Sequence, residues 1–148
     1  PLPAPAPLPP APSAAGLSPT RMLDTAKVDY YSGQWALAIS GFEAVLKAFP
    51  RSESAGEAQF YIGETHYAQN KWSDAISAYN LVLQNHKTAA VVPDAYYKLG
   101  LAYDSAGQSD SARTSWEQAI KLYPESQAAQ LSRQRLDRLA RRAQPAQP

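Results

Sequence analysis

Few side chains in this 148-residue sequence are suited to catalysis. The chain has two histidines, His66 and His86, and no cysteine, which excludes a cysteine nucleophile, a disulfide bond or a thiolate zinc site. Glu53 and Glu57 lie one helical turn apart, but exposed carboxylates at the start of a helix are usually solvated. The sequence contains no metal-binding, nucleophile-elbow or phosphate-loop motif. We therefore predict that the protein is not an enzyme and needs no metal or cofactor.

Aromatic side chains point instead to binding, and the elements that position them recur every 37 residues. The turn position is held by Gly33, Asn70 and Gly107. Five further positions repeat with the same offset. They are the small residues Ala26, Gly63 and Gly100 and Ala38, Ala75 and Ala112; the aromatic residues Phe42, Tyr79 and Trp116; the apolar residues Val45, Val82 and Ala119; and the stop residues Pro50, Lys87 and Pro124.

This pattern has a physical basis in paired helices. Small residues let two helix backbones approach, the aromatic ring four positions later fills the space between hairpins, and proline ends the second helix. The spacing matches the tetratricopeptide repeat, whose usual period is about 34 residues. We expect the extra residues to lie between repeats, near positions 53–55 and 89–92. The sequence thus predicts an all-α fold with three tetratricopeptide helical hairpins and a C-terminal capping helix, forming a right-handed α-solenoid.

The proline content divides the chain into unlike parts. Residues 1–19 are rich in proline and alanine and favour an extended linker, with an SH3-type ligand as the less favoured interpretation. We predict a tetratricopeptide domain over residues 20–142 and a disordered tail over 143–148. The predicted repeats lie at about 19–52, 56–89 and 93–126, and the cap helix at 127–142.

In stacked hairpins the first helix of each pair lines the concave face, and its side chains form our candidate partner-binding groove. An aromatic groove with a few charges suits an extended or helical peptide. Because tyrosine serves equally well in packing between helices, each tyrosine has both interpretations. The predicted groove residues are Lys27, Tyr30, Tyr31, Phe60, Glu64, Tyr67, Tyr97 and Leu101.

Charge and hydropathy restrict the classes of binding partner that we expect. The net charge of +1 argues against bulk nucleic-acid binding, and no apolar run is long enough to span a membrane. Five arginines and one aspartate lie within residues 127–148, and we interpret that helix as a solvating cap. Carboxylate-clamp domains that bind heat-shock proteins need Lys and Asn in the groove. Here only Lys27 fits that requirement, which disfavours such a role.

The amino-acid sequences of the repeats resemble those of a specific family. The stretches YYSGQWALAISGFEAVLKAFPRS, AQFYIGETHYAQNKWSDAISAYNLVLQN and DAYYKLGLAYDSAGQSDSARTSWEQAIKLYPESQAAQLSRQRLDRL are similar to the C-terminal domain of the Tol-Pal system protein YbgF/CpoB family, the cell division coordinators. The resemblance covers about residues 21–139. It departs from the family at Asn85, His86 and Lys87, where the family has Tyr-Pro.

The resemblance implies a periplasmic adaptor of Gram-negative bacteria. Members bind TolA and link outer-membrane constriction to peptidoglycan synthesis by a penicillin-binding protein during cell division. The family has a coiled coil before a low-complexity linker, so we expect this chain to be a monomeric fragment of a trimeric protein. Two alternatives stay open: an outer-membrane assembly or other envelope scaffold with tetratricopeptide repeats, and a glycan- or lipid-binding module.

Overall fold

The described residues of the computed structural model, 1–3 and 16–145, contain seven α-helices and no strand. This result confirms the predicted all-α fold. The helices are α1 (Pro19–Tyr31), α2 (Trp35–Ala48), α3 (Glu53–Ala68), α4 (Trp72–Asn85), α5 (Val92–Ser105), α6 (Ser109–Leu122) and α7 (Gln127–Ala143). Each helix packs on the next one along the chain, and α1 also contacts α3 while α5 contacts α7. The helices therefore form stacked hairpins.

The turn inside each hairpin requires a left-handed backbone. Gly33 and Gly107 have φ angles of 75° and 79°, and Asn70 has a φ angle of 59° in the same place. Glycine adopts this conformation without a steric penalty, and asparagine is among the few other residues that tolerate it. The recurring turn residue in the sequence thus reflects a backbone constraint.

Among the glycines, the tightest packing lies between an aromatic ring and a glycine of the preceding helix. A Cβ atom added to Gly63 would lie 2.5 Å from Cε1 of Tyr79, and one added to Gly100 would lie 2.2 Å from Nε1 of Trp116. Both rings are almost completely buried, and the Trp116 indole donates a hydrogen bond to the Tyr97 carbonyl at 3.1 Å. The small residue and the aromatic residue of the repeat are therefore two halves of one contact.

One detail of the repeat boundaries differs from the sequence expectation. Residues 53–55 form the first turn of α3, capped by the Ser52 hydroxyl, and do not belong to a connection between repeats. A serine cap satisfies a free backbone N–H, which favours starting the helix there. The absent proline at Lys87 has little effect, because the preceding cap residue His86 has the same backbone geometry as Phe49 and Tyr123.

The ends of the chain are described only in part. Most of the predicted linker, residues 4–15, lies outside the described residues, as do residues 146–148 of the predicted tail. Pro19 is already helical, with the Ser18 side chain accepting a hydrogen bond from the Arg21 amide. The last helix continues to Ala143, one residue into the predicted tail.

Replacing Ala38 by leucine should test the hairpin packing. Ala38 is fully buried in α2, so the added atoms would overpack the core and lower the free energy of unfolding by about 1–3 kcal/mol. Ala44 lies on the exposed side of the same helix and provides the matched control, because Ala44→Leu adds the same atoms in solvent. Urea denaturation followed by circular dichroism would measure both variants. Equal stability of the two variants would contradict the assigned packing.

Candidate functional site

The first helix of each hairpin contributes three positions to one shared surface, which we call the groove. These positions repeat with the 37-residue period, and side chains at them contact residues of the neighbouring first helices. Lys27 on α1 reaches Glu57 on α3 at 2.8 Å, and Lys98 on α5 reaches Glu64 on α3 at 3.2 Å. The groove positions are Asp24, Tyr61 and Lys98; Lys27, Glu64 and Leu101; and Tyr30, Tyr67 and Asp104.

A tyrosine cluster occupies the groove between α1 and α3. The ring of Tyr61 lies 5.4 Å from that of Tyr30 in an edge-to-face arrangement, and its hydroxyl is 3.1 Å from the hydroxyl of Tyr31. The Lys27 ammonium lies over the Tyr61 ring, 5.0 Å from its centroid. Tyr31 is 70% exposed, so this cluster offers a partner both aromatic surface and hydroxyl groups.

The charges around the tyrosine cluster are fixed near neutral pH. Burial and then the hydrogen bond with Tyr31 raise the pKa of the Tyr61 hydroxyl, so this group is neutral. The hydrogen bond with Glu57 raises the pKa of the Lys27 ammonium despite its partial burial. Lys27 therefore stays charged, and its charge is already neutralised by a carboxylate of the same protein.

Glu64 connects the groove to the core. One carboxylate oxygen accepts a hydrogen bond from the Tyr79 hydroxyl of α4, and the other contacts Lys98 of α5. Burial and the negative charge of Glu64 raise the pKa of Tyr79, so its hydroxyl remains a donor. Burial, followed by the negative charge of Glu64, raises the pKa of the Asp94 carboxyl group. Glu64 thus holds α3, α4 and α5 together.

The predicted groove residues differ in how far a partner could reach them. Phe60 is only 8% exposed and packs against Tyr79 in the core, because its position points between the helices. Tyr97 and Leu101 are partly buried and pack against the cluster that contains Trp116. The remaining predicted residues lie around the groove. The side chains of Lys27, Tyr30, Tyr31 and Tyr67 are half-buried or exposed, whereas that of Glu64 is only 12% exposed.

Tyr61 and Lys98 were not among the predicted groove residues, although they are central to the groove. The Lys98 ammonium lies 5.5 Å from the centroid of the Tyr67 ring as well as contacting Glu64. The 37-residue register contained the signal for both residues. Phe60 aligns with the buried Leu23, whereas Tyr61 aligns with the exposed Asp24, so the second alignment marks the accessible face.

The two histidines lie on α3 and at the end of α4. No group of three or more metal-ligating side chains occurs in the part of the chain that the structure describes. The His66 ring is half-buried on α3, and its Nδ1 atom has no hydrogen-bond partner there. Burial lowers the pKa of His86, which makes it neutral at the end of α4 and removes the helix-dipole role that a cation would have.

The comparisons define the class of the protein. Two family models, both described as tetratricopeptide repeat, match residues 23–90 and 94–126. Together with the seven stacked helices, these matches show that the chain contains a tetratricopeptide repeat domain. Repeats of this kind form protein-protein interaction modules, because stacking their hairpins creates an extended binding surface. No helix in the described residues combines the length and apolar character needed to cross a membrane.

Solved structures with the same fold include domains from two proteins. The first tetratricopeptide domain of Spaghetti (RPAP3), solved with the HSP90 peptide SRMEEVD, is 15% identical with a TM-score of 0.68 and covers 83% of this chain and 90% of its own. The solution structure of the human RPAP3 domain gives a TM-score of 0.67 with the same identity and coverage. MamA is 27% identical with a TM-score of 0.61, covering 75% of this chain and 61% of its own. A comparison of this sequence with curated proteins found no match.

Neutralising Glu64 should destabilise the domain. In Glu64→Gln the Tyr79 hydroxyl and the Lys98 ammonium lose a charged acceptor, which should lower the free energy of unfolding by about 1–3 kcal/mol. The control is Glu57→Gln, since its pair with Lys27 is more exposed and should contribute about 0–1 kcal/mol. Thermal and urea unfolding would compare the two variants. If both variants are equally stable, Glu64 does not have the connecting role described above.

Proposed function

We propose that the protein is a non-catalytic adaptor of the bacterial envelope that holds a segment of a partner protein in its groove. In this proposal it acts in the periplasm within the Tol-Pal system, with a TolA-like partner. The adaptor then coordinates outer-membrane constriction with peptidoglycan synthesis during cell division, together with a penicillin-binding protein complex. The full-length protein would be a trimer through a coiled coil outside this sequence.

The single observation that supports a protein partner most strongly is the tyrosine cluster of α1 and α3. Tyr31 and Tyr61 present rings and hydroxyls on a surface held by rigid helices, and tyrosine is enriched among the residues that dominate interface energetics. A partner segment would contact Tyr30, Tyr31 and Tyr61 first and then pass along Tyr67 towards Lys98. The Tol-Pal role itself derives from the sequence resemblance of residues 21–139.

The charges in the groove also indicate whether it could bind a peptide of a heat-shock protein. The RPAP3 domain with the same fold was solved with an acidic HSP90 peptide. In this groove Lys27 and Lys98 are each paired with a glutamate, so neither lysine is available to a partner carboxylate without breaking an existing pair. We therefore propose an envelope partner over an HSP90-type peptide for this chain.

A titration with the periplasmic region of TolA would test the proposal. Tyr31→Ala and Tyr67→Ala should each weaken binding by about 2 kcal/mol, or roughly 30-fold in Kd, because an interface anchor is lost. Tyr31 is largely exposed, so its replacement should change the melting temperature little. Isothermal titration calorimetry would give Kd for each variant.

The matched control for this titration is Tyr96→Ala. Tyr96 lies outside the groove positions and faces Tyr123, so its replacement should leave the affinity within a factor of about two. Sedimentation with isolated peptidoglycan and flotation with lipid vesicles would test the glycan- and lipid-binding alternative. Tight binding to peptidoglycan without any affinity for TolA would contradict the proposed partner.

A further inference from the structure

The last helix begins in the same way as α3, two repeat periods earlier. Ser52 and Ser126 each cap a helix by accepting a hydrogen bond from a backbone amide, at 3.2 Å and 3.0 Å. Each serine hydroxyl also donates to the carbonyl three residues before it. Both serines lie two residues after a proline, at positions 50 and 124. By this register α7 occupies the place that the first helix of a further hairpin would take.

The buried side of α7 follows the same register. Ser132 aligns with Ala58 and Ala95, and all three side chains are fully buried. Leu139 aligns with Thr65 and Ala102, and it too is buried at 6% exposure. Helix α7 contacts both α5 and α6, just as α3 contacts both α1 and α2. Because the inner faces coincide, the groove positions defined on α1, α3 and α5 continue onto α7.

Every groove position is an arginine on α7. The three positions that hold Lys98, Leu101 and Asp104 on α5 are held on α7 by Arg135, Arg138 and Arg141. The residue after Arg141 is also an arginine, Arg142, and it aligns with Tyr31 of α1. The contact of Arg142 with Asp104, at 2.7 Å, places this side of α7 beside the groove face of α5. The groove is therefore four helices long and changes in charge along its length.

The arginines also differ from the groove lysines in what they contact. Lys27 and Lys98 each form a salt bridge with a glutamate of α3. Within the described residues, Arg135, Arg138 and Arg141 form neither a salt bridge nor a side-chain hydrogen bond. An acidic group of a partner would thus find available cations only at the α7 end of the groove. Aromatic and apolar groups would find their contacts at the tyrosine end.

We propose that α7 is part of the binding surface and that its arginines bind acidic residues at one end of the partner segment. The proposal rests on the protein-binding groove proposed above and adds the chemistry of its occupant. This occupant is a peptide segment of about nine or more residues, since four helices at ~10 Å spacing span about 30 Å. Its apolar or aromatic residues lie on the Tyr31–Tyr61 cluster, and its aspartates or glutamates lie against Arg135 and Arg138.

Selection from a random 16-residue peptide library displayed on phage would test the proposal with the full chain as bait. Peptides that compete with one another for the groove should combine aromatic or apolar residues with a cluster of acidic residues at one end. The double variant Arg135→Gln with Arg138→Gln should bind a selected peptide at least about tenfold more weakly, because charge-assisted contacts are lost. Fluorescence polarisation of the labelled peptide would measure Kd, and its salt dependence should decrease in the same variant.

Two sets of variants control for charge and for folding. Arg133 lies on α7 outside the groove positions, and Arg113 lies on α6. The double variant Arg113→Gln with Arg133→Gln removes the same charge and should keep Kd within a factor of about two. The variant Arg135→Lys with Arg138→Lys keeps the positive charges and should restore most of the affinity. Circular dichroism would verify that all variants remain folded.

The outcomes separate this proposal from the proposed function. If selected peptides lose affinity in Tyr31→Ala but bind normally to Arg135→Gln with Arg138→Gln, the groove function stands and the role of α7 is wrong. Selected peptides without acidic residues would also overturn the role of α7, even if the arginines bind anionic phospholipid vesicles. If no selected peptide competes for the groove, both proposals fail.

Discussion

The structure depends on the contact between an aromatic ring and the small residue of the helix before it. Tyr79 covers Gly63, and Trp116 covers Gly100, at distances that leave no room for a Cβ atom. The contact brings the two helices of a hairpin together and buries the largest side chains of the core. Since interiors are close-packed, a methyl group at either glycine would force one helix to move.

The ring contact also determines where the groove residues lie. Tyr79 crosses the hairpin from α4, and its hydroxyl reaches the Glu64 carboxylate on the groove side of α3. Glu64 in turn orients Lys98, whose ammonium lies over the Tyr67 ring. The core contact is thus linked to the groove by one hydrogen bond and one salt bridge. A change in the core of the second hairpin should therefore alter the groove as well as the stability of the domain. Helix α2 reaches Tyr61 through the stacking of Tyr61 on Phe42, and also through Tyr30, which lies against Trp35.

The sequence predicted the fold well because the fold depends on residues that recur. The turn residues require a left-handed backbone, and each small residue packs against an aromatic ring. These residue types therefore recur at a spacing of 37 residues in the sequence. Phe60 lies in the core although its neighbour Tyr61 lies in the groove, because one residue rotates a side chain by about 100° around a helix. The pairing of Lys27 and Glu57 depends on the spacing between two hairpins, which the sequence alone does not contain.

The same register changes the interpretation of the arginine-rich last helix. A solvating cap requires polar residues on its outer side but does not require them at particular positions. On α7 the buried side continues the repeat through Ser132 and Leu139, so the groove positions are fixed by geometry. Arg135, Arg138 and Arg141 all fall on those positions, and Arg142 already contacts Asp104 of α5. Capping and a groove role are compatible on one helix, because the buried positions and the groove positions are different.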